Sequence, residues 1–295
     1  MQNLRKASVD VAISVYGKPY QTAVTLLTLL RHSDFWIDKI YFLEERKQPE
    51  PSDFNFIYKV LGERVLRYKP MFWFGYKPPR RKLLSFAPYR RSVRYQYAWE
   101  KTDKKYLLLV HNDVYFKGDL VFEYLKYIDD YAGVGKIGQC WNCPAYAAQL
   151  CNGDNYQNFK PTADEIFRLA SLHPGARTKI YSQVVDIEQP WPLPECRLNE
   201  YVGMINMEHA RNVTLPRGKI TPFGIHNPVD TGVKWFQQMN QVGYNFYNVD
   251  YDPFATHSWV SLKNSGNNSL SDRGLYRHEE SIALKCLQEE FGIFP

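Results

Sequence analysis

Two aspartates, Asp113 and Asp230, stand where a carboxylate could take part in chemistry. Asp113 ends the tripeptide His111-Asn112-Asp113, which lies between two apolar runs, residues 106–110 and 114–116. A short apolar run bounded by polar residues is typical of a buried parallel strand. Because α/β proteins bind ligands at the carboxyl ends of such strands, Asp113 is expected at a ligand-binding edge, where its oxygens suit a hard cation shared with phosphates. The alternative is a polar turn that closes a hairpin.

Asp230 precedes a helical pattern whose apolar positions include Val233 and Phe236, and Gly243 is expected to end that helix. The position predicts an N-cap, which alone would explain an aspartate there. An aspartate at the same sheet edge as Asp113 could also accept a proton from an incoming hydroxyl. Both interpretations stay open at this point.

The elements around these residues predict an α/β fold. A strand over residues 9–15, a helix over 20–31 and a strand over 37–43 form a βαβ unit, which is right-handed and belongs to a parallel sheet. Further strands are expected over residues 63–68, 199–206 and 244–249, and helices over 56–61, 92–99 and 207–213. The turn after the first strand has neither a GxGxxG nor a GxxxxGK[ST] pattern, which argues against a dinucleotide enzyme or a P-loop NTPase.

Length and composition narrow the class of protein. The 295 residues suit one large domain with a possible appended subdomain, and a net charge of +6 is too small to indicate nucleic acid. We therefore expect a main domain over residues 1–262 with an insertion at about 139–197, and a helical extension over 263–295. No window has the length and apolar character of a membrane span, and the first residues run directly into a strand instead of a signal peptide. With five cysteines, an odd number, these features favour a cytoplasmic setting.

Residues 70–91 interrupt the alternation of helices and strands. The stretch has four prolines and mixes aromatic with basic residues, including Phe72, Trp73, Arg80 and Arg81. It could be a lid over an acceptor, a loop that packs on the domain, or a surface that contacts an anionic membrane, and we favour a mobile or membrane-facing loop. Arg94, in the helix predicted next, could bind a phosphate or could simply be solvated.

Four of the five cysteines fall in or at the end of the insertion. Cys140 and Cys143 form a CxxC pair, and Cys151 and Cys196 follow. In a chain without a secretion signal, this set predicts a structural Zn²⁺ site with four thiolate ligands. Separate buried cysteines explain the pattern equally well.

The order of these features resembles the GT-A glycosyltransferases, and in particular glycosyltransferase family 2. The turn VYGKPY stands for the motif after that family's first strand, and His111-Asn112-Asp113 for its DXD motif, with a histidine at the first carboxylate position. Val229-Asp230 stands for its ED motif, with valine in place of the glutamate, and His257 for a histidine that follows a later strand. The resemblance covers roughly residues 9–260.

The resemblance implies an inverting transfer of a sugar from a nucleotide-diphosphate donor, with a UDP-sugar favoured, to a hydroxyl of a glycan or lipid-linked glycan acceptor. It implies that Asp230 is the catalytic base and that Asp113 and His257 hold Mn²⁺ or Mg²⁺. The donor-binding residues would be Val15, Tyr16, Gly17, Glu44, Arg94, Asn112 and Asp113, with Glu45 as the alternative to Glu44. Assembly of bacterial surface polysaccharide or lipid-linked oligosaccharide would be the setting.

Two other functions stay open at the level of sequence. A retaining GT-A glycosyltransferase would share the metal motif without needing a base at Asp230. A non-catalytic protein that binds polyanions or membranes would use residues 70–91 and would bind in a salt-dependent way.

Overall fold

The computed structural model describes residues 8–75, 77–226, 228–261 and 266–295, with the backbone alone for 266–268. The described residues form nine strands: β1 Val9–Val15, β2 Ile37–Glu44, β3 Val65–Tyr68, β4 Tyr106–Val110, β5 Val114–Phe116, β6 Gly133–Ile137, β7 Leu198–Asn206, β8 Phe246–Asn248 and β9 Ala255–His257. They also form twelve helices: α1 Pro19–Ser33, α2 Asn55–Leu61, α3 Ala87–Arg90, α4 Gln96–Lys101, α5 Leu120–Leu125, α6 Pro144–Ala147, α7 Ala163–Leu172, α8 Tyr181–Val184, α9 Met207–Ala210, α10 Val233–Gln241, α11 Gly266–Ser271 and α12 Arg273–Phe291. Short 3₁₀ turns lie at Gly62–Arg64, Arg81–Ser85, Ile128–Asp130, Cys140–Asn142 and Thr178–Ile180.

Seven strands form one sheet in the order β3-β2-β1-β4-β7-β6-β8. The first four strands are mutually parallel, β7 runs antiparallel to both of its neighbours, and β8 is parallel to β6. The carboxyl ends of β1, β2 and β4 therefore meet at one edge, together with the amino end of β7. The predicted α/β fold with a mostly parallel sheet is confirmed.

The sheet separates two apolar layers. Because successive side chains of a strand point to opposite faces, Leu107 and Leu109 of β4 belong to one cluster, and Leu108 and Val110 belong to the other. All four are fully buried. Because both faces of β4 are buried, its sequence is a continuous apolar run.

A second sheet pairs β5 with β9 in antiparallel register, with Val114 opposite His257. The chain leaves β4 at Val110, passes through His111-Asn112-Asp113 and enters β5 in this other sheet. The backbone carbonyl of Asp113 accepts a hydrogen bond from the Ser258 amide at 2.8 Å. Residues 111–113 are thus the link between two sheets, and the pairing of β5 with β9 brings His257 to that link.

Several predicted elements differ in their bounds. The strand expected over residues 63–68 begins at Val65, and the helix expected over 207–213 ends at Ala210. The helix expected over residues 92–99 begins at Gln96, since Tyr95 has a φ of 64° and so cannot belong to a right-handed helix. Asp230 is not the N-cap of α10, which is Gly232 with a φ of 84°. The strand expected over residues 244–249 is limited to Phe246–Asn248.

No helix among the described residues is both long enough and apolar enough to cross a membrane. Tyr76 of the 70–91 stretch and residues 262–265, where the helical extension was expected to begin, lie outside the described residues. The division of the chain at residue 262 stays a prediction.

A side chain of helix α12 caps the amino end of α1. Its Glu280 accepts hydrogen bonds from the amides of Tyr20 at 2.8 Å and Gln21 at 3.3 Å, where α1 has no side-chain cap of its own. Burial raises the pKa of Glu280 to about 7, against an ordinary value of 4.5. The carboxyl group therefore binds its proton more tightly in the folded protein than in the unfolded chain.

This raised pKa predicts a pH-dependent stability. The contribution is fully present below pH 4.5 and is lost as the pH rises through about 7, because the unfolded chain releases the proton more readily. The wild type should lose up to about 3 kcal/mol of unfolding free energy between pH 4.5 and 8 from this group. Glu280→Gln should show a smaller loss in denaturant titrations at the two pH values. Glu289→Gln, on the exposed side of α12, is the matched control, and an identical pH dependence in wild type and Glu280→Gln would contradict the assignment.

Candidate active site

A cavity of about 550 Å³ opens at the edge where β1, β2 and β4 end. Each of these strands sends the first residue after its carboxyl end into the lining: Tyr16, Glu45 and His111. The rest of the lining comes from the segment that begins β7, from residues 73–75 with Pro79, from residues 92–94, from Arg177, from Gly224 and His226, from residues 228–231, and from Leu270. This is the position at which α/β sheets bind ligands.

Asp113 lies beside two imidazoles. Its Oδ1 is 3.3 Å from His257 Nε2 and 3.9 Å from His111 Nδ1. One ligand atom from each of the three residues falls within 4.8 Å of the others, so this group, here called the cation-binding group, could hold a metal ion. The ring of His257 also stacks on Tyr201, with centroids 3.7 Å apart and planes 10° apart. The pairing of β5 with β9 and this stacking hold His257 in place.

The donor set fits a first-row divalent ion. Two imidazole nitrogens and one carboxylate suit Mn²⁺ better than Mg²⁺, which prefers oxygen ligands and retains its waters. His111 Nε2 lies 3.5 Å from Glu200 Oε1, so a proton on Nε2 would leave Nδ1 free to bind the ion. A carboxylate behind a metal-binding histidine commonly sets its tautomer in this way.

The side chain of Lys18 places a positive charge next to Asp113 and the two histidines. Its Nζ lies 2.8 Å from Asp113 Oδ2, and both side chains are buried. Burial would raise the pKa of Asp113, but Lys18, His257 and His111 outweigh it and hold the pKa well below its usual value. Asp113 is therefore ionised, with one oxygen on Lys18 and the other toward the histidines. Lys18 also has a φ of 56°, an uncommon value outside glycine that is typical of constrained functional turns.

Charged side chains connect the histidines to Asp230 along the cavity wall. Arg197 Nη1 lies 3.4 Å from Glu200 Oε1 and 3.4 Å from Asp230 Oδ2, and Arg197 and Glu200 are almost fully buried. Glu200 in turn contacts His111. A continuous series of contacts thus runs from Asp113 through His111, Glu200 and Arg197 to Asp230.

Asp230 is held by a second arginine and an amide. Arg177 Nη2 lies 2.6 Å from Asp230 Oδ2, and Gln139 Nε2 donates to the same oxygen at 3.0 Å. Burial would raise the pKa of Asp230, but Arg197 and Arg177 more than offset it and lower the pKa below its usual value. The carboxylate is ionised over the physiological range, and it is a weaker base in this state than a free aspartate.

The predicted site residues fall into two groups. Tyr16, Arg94, Asp230 and the alternative Glu45 line the cavity, and Arg94 Nε lies 3.8 Å from Glu45 Oε1. Burial raises the pKa of Glu45, and the positive charge of Arg94 offsets part of this shift. Asp113 and His257 lie beside the cavity, next to His111.

The others lie behind the cavity or away from it. Val15 is buried within β1, and the Asn112 amide donates to the Gly17 carbonyl at 3.1 Å, so these residues hold the turn after β1. Glu44, the last residue of β2, is not part of the lining. It lies 2.7 Å from Arg67 and 3.0 Å from Lys69, because side chains alternate along a strand and Glu45 takes the cavity side.

Sequence reasoning missed Lys18, Arg177, Arg197 and Glu200. The segment RLNEYVG carried a signal for the last two, since an arginine and a glutamate stand at the start of an otherwise apolar strand. Charged residues are almost never fully buried unless paired, which makes such a position informative. Nothing in the local sequence of Lys18 or Arg177 indicated a partner, as theirs lie 95 and 53 residues away.

No protein-family model matches the chain, and a search of curated proteins finds no match. Among solved structures, this chain is similar to a mannosyltransferase from Pyrobaculum calidifontis in complex with GDP-Man and Mn²⁺. The two share 9% identity with a TM-score of 0.47, over 98% of this chain and 76% of that chain. It is also similar to glucosyl-3-phosphoglycerate synthase from Mycobacterium tuberculosis in complex with Mn²⁺, UDP-glucose and phosphoglyceric acid, with 11% identity, a TM-score of 0.45, and 98% and 81% covered. At identities of 9% and 11% and TM-scores below 0.5, neither likeness bears on the function of this chain.

Proposed function

We propose that this chain is a metal-dependent, inverting glycosyltransferase that moves a sugar from a nucleoside diphosphate to a hydroxyl group of an acceptor. The observation that carries the proposal is one cavity at the carboxyl ends of β1, β2 and β4, with a group that could hold a metal ion beside it and the carboxylate of Asp230 in its wall. A transfer of this kind needs both features, because charge develops on the leaving diphosphate while the attacking hydroxyl loses a proton.

The donor would bind on the side of the parallel strands. Arg94 and Glu45 are placed for the nucleotide, with Glu45 as a hydrogen-bond acceptor for a ribose hydroxyl and Arg94 as a cation for a phosphate. An ion held by Asp113, His111 and His257, Mn²⁺ before Mg²⁺, would supply neutralising charge to the diphosphate. Lys18 adds a fixed positive charge next to Asp113.

The acceptor would bind on the side of Asp230. Its hydroxyl oxygen forms a bond to the anomeric carbon as the bond from that carbon to the diphosphate breaks, and the hydroxyl proton passes to Asp230. Because Arg177 and Arg197 lower the basicity of Asp230, the proton would be transferred late, as the attacking oxygen becomes strongly acidic. Arg177 is the partner that a substrate would displace more readily, because its side chain is 23% exposed whereas that of Arg197 is 1% exposed.

A glycan or lipid-linked glycan is the acceptor class we favour, with peripheral contact between residues 70–91 and an anionic membrane in a cytoplasmic setting. One part of this stretch, Trp73 to Gly75 with Pro79, lines the cavity. Elsewhere it exposes Met71, Leu83 and Phe86 beside exposed basic residues, Arg80, Arg81 and Lys82. Apolar and basic groups on one surface are the chemistry that an anionic lipid surface attracts.

Thermal shift measurements with UDP and GDP, each with and without Mn²⁺, test the proposal. One of them should raise the melting temperature by several degrees at saturation in the presence of Mn²⁺, since a ligand at about 100 times its Kd stabilises the native state by about 2.7 kcal/mol. Uridine and guanosine, which lack the diphosphate, are the matched ligands and should give much smaller shifts. No shift with either nucleotide, or equal shifts with and without Mn²⁺, would contradict the metal-dependent nucleotide site.

A further inference from the structure

A second, much smaller cavity lies in the segment between β6 and β7. Its volume is about 10 Å³, and four of the five cysteines of the chain line it: Cys140, Cys143, Cys151 and Cys196. These cysteines come from three separate parts of the segment, and all are free thiols. Residues 138–197 between the two strands form only three short helices and two 3₁₀ turns, so this segment has little regular structure of its own.

The lining has the properties of a metal site. Glu195 is 1% exposed, lines the same cavity and has a carboxylate oxygen, Oε1, without a hydrogen-bond partner. Two of the thiols donate to nearby backbone carbonyls, Cys140 to Ile137 at 3.8 Å and Cys151 to Asn152 at 3.7 Å. A purely apolar packing of cysteines would not need a buried carboxylate beside it.

We propose that this cavity is a structural Zn²⁺ site with the thiolates of Cys140, Cys143, Cys151 and Cys196 as its ligands. Zinc bound by four cysteines is tetrahedral with Zn–S distances of about 2.3 Å, and a CxxC pair on a tight turn is the usual source of two of them. Within the described parts of the chain no three of these sulfurs lie within 4.8 Å of one another. Binding therefore draws them inward and releases four protons, one from each thiol.

Zinc would order a segment that has little regular structure. Ligands from three separate parts of residues 138–197 would meet at one ion, so the binding energy would contribute to folding of the segment.

The site is joined directly to the active-site wall. Gln139, immediately before Cys140, donates to Asp230, and Arg197, immediately after Cys196, lies 3.4 Å from the same carboxylate. The two segments are also paired through their backbones, since the Gln139 amide donates to the Glu195 carbonyl at 3.0 Å and the Gly138 amide to the Arg197 carbonyl at 2.7 Å. Zinc would therefore fix two of the groups that orient Asp230. The ion would act as a positioning element and would not contact substrate.

Elemental analysis of protein purified without added metal or chelator tests the proposal. We expect about one zinc per chain in the wild type and a loss of most of it in the Cys140→Ser/Cys143→Ser variant. Cys286→Ser is the matched control, because Cys286 lies on α12 outside the cavity, and it should retain full zinc content. No zinc in the wild type, or equal zinc in the wild type and the double variant, would overturn the proposal.

A second measurement on the unaltered protein covers the case in which the double variant does not fold. Titration of the wild-type thiols with a mercurial, read with a zinc-sensitive dye, should release one zinc as four thiols react. A strong chelator should also lower the melting temperature in the absence of any nucleotide. Reaction of the thiols without zinc release would refute the site, and neither readout depends on glycosyl transfer.

Discussion

Asp230→Asn is expected to reduce kcat for sugar transfer by about 10²–10⁴-fold, the usual contribution of a general base. The substitution keeps the shape of the side chain but removes its ability to accept a proton. The fold should persist, because Arg197 retains its 2.8 Å hydrogen bond to the Thr231 carbonyl and its contact with Glu200, and Arg177 is partly exposed to water. Turnover at saturating donor and Mn²⁺, once the donor is known, measures the effect.

Two comparisons separate this role from a structural one. Asp130→Asn, at an exposed aspartate away from the cavity, should leave turnover unchanged. The nucleotide-dependent thermal shift of Asp230→Asn should equal that of the wild type. If the kcat of Asp230→Asn were within about twofold of wild type, the role of Asp230 would be limited to binding the two arginines. A product with the same anomeric configuration as the donor would instead favour the retaining alternative.

His257→Phe is expected to remove most of the Mn²⁺ dependence. A phenyl ring preserves the stacking on Tyr201 but lacks Nε2, which lies 3.3 Å from Asp113 Oδ1. Loss of even an outer partner of a metal ligand commonly costs about 10–100-fold in affinity, and loss of a ligand itself should cost at least that much. The concentration of Mn²⁺ that gives half of the nucleotide-dependent thermal shift measures the change.

His209→Phe is the matched variant for this experiment. The His209 ring lies 5.9 Å from that of Tyr244, and the residue is absent from the cavity lining. It should bind Mn²⁺ as the wild type does. If His257→Phe kept the same dependence on Mn²⁺, the ion would have to bind elsewhere, and the pairing of Lys18 with Asp113 would then be the permanent state of this group.

The part of the fold that rests on local patterns was predictable from sequence. The strand β1 over residues 9–15 and the strand β4 over 106–110 have the predicted bounds, because each is a short apolar run ended by polar residues. Asp113 was expected at the carboxyl edge for the same reason. The alternation of one helix between two strands then specified their parallel order.

The parts that depend on distant partners were not predictable. Glu44 and Glu45 are adjacent in sequence, and only the pleat of β2 decides that Glu45 takes the cavity side. The prediction that Asp230 is the N-cap of α10 was wrong. Gly232 can adopt a φ of 84° at no steric cost, so the N-cap lies two residues later. Lys18 and Arg177 were missed because an isolated basic residue in a sequence gives no sign of which carboxylate it will meet.

The Lys18 amide donates a hydrogen bond of 2.7 Å to the Tyr276 hydroxyl, which ties the turn after β1 to α12. The two residues are 258 positions apart, and Lys18 is the residue that holds Asp113. Proteins open locally at free energies below that of global unfolding. Undocking of α12 alone would remove this partner from the turn that carries Lys18. The group of Asp113 and the two histidines would therefore lose its rigidity while the sheet is still folded.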